Sequence, residues 1–264
     1  YLYLSFVAKR LTGTLASYKL DEQLTQFDND AVSVSVGGYF IGITAIFIGA
    51  LQGPSSGNYL DDYLNVSGYA VAGIFLLNVS RWINGKLILY KFSVDKEIIK
   101  DQNPGTGVVE GAMYIASGLI IGGAVSGEGG GPLSALRIYL IGQICLVLLG
   151  LLYVRTSPYS VHDEIEKDNT AAGLGFAGGL ISIGIILMKA VSGDFNSWQE
   201  DLISLGLDVL IIFVYLLVVR FIFDRLILRN SNLNTEISID QNLGAGLLEM
   251  LVSICFSSLL YFVL

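Results

Sequence analysis

Long apolar runs alternate with short polar segments along the whole chain. Seven runs reach bilayer length, at 30–51, 67–89, 104–126, 134–154, 170–192, 202–223 and 243–264. A hydrocarbon core about 30 Å thick needs roughly 20 apolar residues per helix. An eighth span is expected to end at Ala8, just before Lys9-Arg10, with its start before Tyr1. No basic region and cleavage site make those residues a signal peptide. The pattern predicts an all-α, polytopic transmembrane protein of about eight spans. Its units are expected to be two tandem four-helix blocks, 1–132 and 133–264.

The polar connections are of two kinds. Those at 52–66, 127–133 and 193–201 are short and acidic or glycine-rich, with only Arg137 and Lys189 nearby. Those near 9–29, 90–103, 155–169 and 224–242 carry the other Lys and Arg residues and mix both charge signs. The excess of basic residues in cytoplasmic loops places this second set in the cytoplasm. Composition narrows the reading further. The chain is 53% hydrophobic and only 14% charged, with net charge −8 and mean hydropathy +0.64. Soluble domains average about 25% charged residues. Phosphate recognition needs clustered Lys and Arg, so nucleic acid is excluded as a partner. One histidine and two cysteines are too few for a zinc site, and no cofactor is expected. Cys145 and Cys255 fall within spans and read as small packing residues. Asn65-Val66-Ser67 matches a glycosylation sequon.

A search for self-similarity changes the picture. The segment from Glu97 to Glu110 recurs without a gap from Glu236 to Glu249, an offset of 139 residues. At the same offset Arg81 pairs with Arg220 and Lys86 with Arg225. A looser copy links Asp28-Asn29-Asp30-Ala31 with Asp168-Asn169-Thr170-Ala171. Each four-helix block is itself two hairpins, since Asp28-Asn29 recurs as Asp101-Gln102-Asn103. A hairpin contains two spans, so every copy keeps one orientation. These are parallel repeats, unlike the inverted repeats of many alternating-access carriers.

A span, an acidic linker ending in Asp-(Gln)-Asn, and then a glycine-rich span resembles the YjfL-like bacterial inner-membrane family, known as domain of unknown function 350. The linker Asp163-Glu164-Ile165-Glu166-Lys167-Asp168-Asn169-Thr170-Ala171-Ala172 carries the closest match. The resemblance covers nearly the whole chain as two family-sized units. It implies a bacterial inner-membrane location and a polytopic helical fold, and it implies no established activity.

Asn29, Asn103, Asn169 and Asn242 each stand just before an apolar run, with Asp28, Asp101, Gln102, Asp168, Asp240 and Gln241 beside them. Asn accepts hydrogen bonds from the first free N–H groups of a helix, which predicts four N-caps. Pro104 at the first helical position fits Asn103 as cap. A sharper possibility is that the four N-termini gather into one cytoplasmic vestibule. Their dipoles would favour an anion, whereas the neighbouring Asp residues favour a cation or basic partner. Gly38/Gly42, Gly107/Gly111, Gly118/Gly122 and Gly175/Gly179 have the spacing that lets helices approach closely in lipid.

Glu110 and Glu249 are the strongest functional candidates. Each lies seven residues past its Asn, roughly 10 Å into the helix at 1.5 Å per residue. A charge at that depth must face protein or water. Arg81 and Arg220, in the preceding spans, are its expected partners. Asp208 is a third intramembrane acid, outside the duplicated set. His162 lies in a linker and reads as solvated and inert. No nucleophile set or phosphate loop is visible, so an enzyme is not expected. Two functions fit. The first is mediation or regulation of ion or proton passage through the two glutamates. The alternative is a non-catalytic membrane scaffold or complex subunit, in envelope stress, with membrane lipid, membrane proteins or a second copy as partners.

Overall fold

A computed structural model describes residues 18–53, 55–127, 131–194, 197–222 and 232–264. Tyr1 to Ala8, Lys9 and Arg10 lie outside the described residues, as does Arg225. Among the described residues every regular element is helical. Seven helices are long: α2 (Asp30–Leu51), α3 (Tyr59–Leu87), α5 (Pro104–Val125), α6 (Gly131–Thr156), α8 (Thr170–Val191), α9 (Trp198–Ile222) and α11 (Leu243–Val263). Four are single short turns that precede glycine-rich spans: α1 (Leu20–Thr25), α4 (Val94–Ile99), α7 (Val161–Glu166) and α10 (Leu233–Ser238).

Among the described residues, six of the long helices, α2, α3, α5, α6, α8 and α11, are long and apolar enough to cross a membrane. Their 21–29 residues span at least about 30 Å at 1.5 Å per residue. Helix α3 starts eight residues before the expected position 67. Asn58 caps it by accepting from Leu60 N–H, and Asp62 in its first turn holds Ser55 and Ser56. The polar start of α3, including Asn65, is therefore helix and not loop.

The architecture has two layers. The glycine-rich helices α2, α5, α8 and α11 stand side by side in that order and make the most extensive helix contacts in the protein. Helices α3, α6 and α9 form the second layer, α3 against α2 and α5, α6 against α5 and α8, α9 against α8. The middle of the row is the core. The apolar windows of α5 and α8 are 78% and 83% buried, against 22% for α11 at one end.

Small residues set the spacing of this row. Gly38 faces Gly111, Gly42 faces Gly118, and Gly49 faces Gly122, all between α2 and α5. Between α5 and α8, Gly173 faces Gly105 and Gly184 faces Ala116; between α8 and α11, Gly246 faces Ala171. A methyl group at Gly178 would stand 2.5 Å from Met250 Cα, closer than any real contact. In lipid, where apolar burial gives helices no reason to associate, such backbone approach supplies dispersion contacts over the whole helix length. The pair Gly175/Gly179 works differently. Gly175 makes room for the Glu249 carboxylate and Gly179 for the Tyr153 ring.

Gly118→Ala is expected to lower stability by about 1–3 kcal/mol, the range for overpacking a tight site. Gly68→Ala, with no atom within 4 Å of the added carbon, should be neutral or stabilising by up to about 1 kcal/mol. Reversible unfolding in detergent micelles compares the two.

Candidate functional site

The four linkers share one local design. A six-residue helix ends, the next-to-last linker residue turns left-handed, and an extended Asn starts the span. The left-handed residues are Asp28 (φ 46°), Gln102 (φ 53°), Asp168 (φ 62°) and Gln241 (φ 49°). Positive φ costs an L-residue roughly 1–2 kcal/mol, so this turn is held by what it positions. Asn29, Asn103, Asn169 and Asn242 then accept through Oδ1 from Val32, Thr106, Ala172 and Ala245 N–H at 3.0–3.2 Å. The same amides donate through Nδ2 to the side chains of Gln23, Glu97, Glu164 and Glu236.

Three of the four caps make one further bond, to the following linker. Asn29 Nδ2 donates to Ile98 O at 2.9 Å, Asn103 Nδ2 to Ile165 O at 2.7 Å, and Asn169 Nδ2 to Ile237 O at 2.8 Å. Asparagine suits these three places because one side chain accepts once and donates twice; Ser has a single donor and ionised Asp has none. Asn29, Asn103 and Asn169 are at most 1% exposed. The helix N-termini therefore do not open into a vestibule. Each is closed by its own cap, and the first three are covered by the next linker. Of the adjoining acids, Asp101 pairs with Lys96 at 2.8 Å on the surface, and that bond holds its carboxyl below the usual range.

Glu110 lies on α5, 3% exposed. Arg81 Nε, from α3, donates to Glu110 Oε1 at 2.8 Å. Ser35 Oγ, from α2, donates to Glu110 Oε2. Arg81 Nη2 also reaches Asp95 Oδ1 of α4 at 2.6 Å. One cluster thus ties three spans to a linker. Tyr18 stands close by, its phenol pushed up to about 12 by burial and by the Glu110 charge. A cavity of about 280 Å³ lies beside the cluster, lined by Arg81, Lys86, Tyr90, Asp95 and Glu110 among others.

Glu249 sits at the matching place in the duplication and is 5% exposed, but its surroundings differ. It lies against Gly175 of α8, at the position corresponding to Ser35. Tyr153 of α6 donates to its Oε1 at 3.5 Å. The side chain of Arg220 lies outside the described residues. Glu110 and Glu249 are separated by α8 in the row, so they do not share one axis. Asp208 falls within α9, half-buried, and belongs to neither cluster.

Sequence reasoning missed two features. Asn84, Ser117 and Gln143, from α3, α5 and α6, close a buried hydrogen-bonded triangle: Asn84 Nδ2 to Ser117 Oγ 3.1 Å, Ser117 Oγ to Gln143 Oε1 3.2 Å, Gln143 Nε2 to Asn84 Oδ1 2.6 Å. Amides within apolar runs were the available sign of it. A triangle satisfied this fully serves as glue between helices. The other is His162, which is not solvated. It is 1% exposed, and its ring packs 4.8 Å from that of Tyr90. Its Nε2 is 2.7 Å from Ile88 O; a carbonyl only accepts, so Nε2 carries the proton. Beside it Lys91 and Asp163 pair at 2.8 Å, joining two linkers.

A row of glycine-rich helices with a second layer behind it, entered through four Asn-capped linkers, defines a tandem-repeat polytopic membrane protein. The chain belongs to the family described as Domain of Unknown Function (DUF350), whose model matches residues 1–125 and again 130–264. It is also similar to a UPF0719 transmembrane protein of Aquifex aeolicus (strain VF5), 25% identical over 234 residues that cover 87% of this chain and 84% of that protein. No solved structure matches. The family is an uncharacterised transmembrane family.

Two outcomes follow from these bonds. Asn103→Ser keeps a capping oxygen but loses the amide N–H groups held by Glu97 and Ile165 O, whereas Asn103→Ala loses the cap as well. Stability should fall by about 1–3 kcal/mol for the first, the cost of stranding a buried acceptor, and by a further ~1 kcal/mol for the second. Denaturant titration of both variants separates the terms. Burial holds the His162 imidazole below its ordinary value of 6.5, against the pull of its bond to Ile88. The unfolded chain then binds the proton more readily, so the stabilisation is present above pH 6.5 and is lost as pH falls below it. Melting temperature should drop between pH 7.5 and 5.5, with a smaller slope in His162→Gln.

Proposed function

We propose that the protein is a non-catalytic scaffold of a bacterial inner membrane, with its charged linkers in the cytoplasm and membrane proteins as partners. The observation that carries this is the closed coordination of Glu110. One carboxylate oxygen is held by Arg81 and the other by Ser35, so the group is committed to joining α2, α3 and α5. The separation of Glu110 from Glu249 and the satisfied Asn84–Ser117–Gln143 triangle favour the same reading. The location is supported by the concentration of Lys and Arg in one set of linkers.

A second reading, ion or proton passage through Glu110, is favoured by one observation: the cavity of about 280 Å³ on which Arg81 and Glu110 border. Its lining includes Ser93, Val94 and Asp95 of the following linker.

Glu110→Gln distinguishes the two. The scaffold reading expects a loss of about 1–3 kcal/mol, below the 3–5 kcal/mol of a fully buried broken pair because Arg81 keeps Asp95 and is partly exposed. Proton and cation flux in proteoliposomes should stay at the level of empty vesicles for both proteins. Flux supported by the unaltered chain and abolished by Glu110→Gln at unchanged melting temperature would establish passage instead.

A further inference from the structure

The cavity beside Glu110 carries two opposite charges that do not meet. Lys86 and Asp95 both line it. Lys86 lies in the last turn of α3, is exposed, and has no side-chain partner among the described residues. Asp95, on α4, accepts from Arg81 Nη2 through Oδ1 at 2.6 Å, and its Oδ2 has no partner among the described residues. Arg81 is already shared between Asp95 and Glu110. The lining is electroneutral, with Arg81 and Lys86 balancing Asp95 and Glu110. A bare anion would be repelled by the open side of Asp95, and a bare cation by Lys86. A ligand that carries both signs, some distance apart, satisfies both groups.

The surroundings say where such a ligand comes from. Trp82 and Tyr90, both on the lining, are 68% and 58% exposed at the end of a span. Aromatic rings so placed mark the level of lipid headgroups. Phe75, two turns before Trp82 on α3, is exposed as well, and gives an acyl chain a path along the helix. The Tyr90 ring backs onto His162 at 4.8 Å, which keeps that wall in place. Ser93, also on the lining, makes no bond to cap its own helix, so its hydroxyl is open to a phosphate oxygen. The volume of about 280 Å³ is room for about nine waters at about 30 Å³ each, enough for a phosphate joined to an ammonium by two carbons. The duplication does not repeat this set. At the offset of 139 residues Asn234 stands for Asp95 and Arg229 for Tyr90, yet the linker helix α10 forms without them.

We infer that this cavity binds the headgroup of an aminophospholipid, with the phosphodiester on Lys86 and Ser93 and the primary ammonium on Asp95 Oδ2. A primary ammonium donates N–H bonds to a carboxylate, as a lysine does; the quaternary ammonium of phosphatidylcholine has none to give. Phosphatidylglycerol brings the phosphate but leaves the Asp95 charge unmatched. The site therefore selects phosphatidylethanolamine over both. The inference rests on neither role of Glu110, which in each case holds Arg81, and through it Asp95, at the edge of the cavity.

Trp198→Phe leaves Trp82 as the one tryptophan of the full-length chain, so its fluorescence reports on the cavity. In phosphatidylcholine bilayers, lipids with brominated acyl chains quench it according to how often each sits beside it. Brominated phosphatidylethanolamine should bind there about five-fold more strongly than brominated phosphatidylcholine, the scale of one net hydrogen bond. Brominated phosphatidylglycerol should show no such advantage. Lys86→Gln, which has no partner to lose, should remove the preference while leaving Trp82 emission in pure phosphatidylcholine unchanged. Asp95→Ala should turn the preference toward phosphatidylglycerol, because two cations then face the cavity with one acid fewer. Equal quenching by phosphatidylethanolamine and phosphatidylcholine in the chain with Lys86 and Asp95 intact would overturn the inference. So would phosphatidylglycerol matching phosphatidylethanolamine there, or a phosphatidylethanolamine preference that survives either substitution. A shift of Trp82 emission by soluble glycerophosphoethanolamine, without selection among lipids, would assign the cavity to a free ligand and overturn a lipid as its occupant.

Discussion

A helix that enters a bilayer brings unbonded N–H groups with it, and hydrocarbon satisfies none of them. In this protein one residue type answers that constraint four times, and the rest of the architecture follows from how. Asparagine accepts from its own helix and donates sideways, so the act of ending one linker also fixes the next. With Ile98, Ile165 and Ile237 carbonyls as anchors, neighbouring spans enter the membrane at a set separation. Glycines at 107, 173 and 246 then let them stand at that separation along their length. A larger residue there would force the spans apart and stretch the amide bonds above.

The Glu110 cluster builds on this frame. Because α2 and α5 are so close, Ser35 reaches a carboxylate on the adjacent helix, and Arg81 approaches from the second layer. The duplicated copy shows how the same frame accepts other contents. Gly175 replaces the serine, and a tyrosine from α6 comes up to Glu249. Duplication preserved the acid and its depth while its neighbours diverged.

Much of the fold was legible in the chain, for physical reasons. Apolar runs of span length must be helices in lipid, and an offset of 139 residues with no gap requires two superposable halves. The places of Asn29, Asn103, Asn169 and Asn242 could be read because capping is local. What could not be read were the bonds between elements far apart in sequence. Nothing in the linker sequence indicates that Asn103 also reaches Ile165, or that Asp95 turns back to Arg81. His162 was misjudged for the same reason: its polarity suggests water, but Tyr90 and the Ile88 carbonyl, remote in sequence, enclose it. The start of α3 was placed too late because Asp61 and Asp62 are unlike a span; they belong to a polar first turn that Asn58 caps.

The left-handed turn before each cap has an evolutionary side. Since every linker and its span form a self-contained cassette, joined to its neighbour through one side-chain amide and a line of small residues, a genome can lengthen or shorten such a protein by whole hairpins. Neither the topology of the remaining spans nor the chemistry of the seams needs to be reinvented at each step.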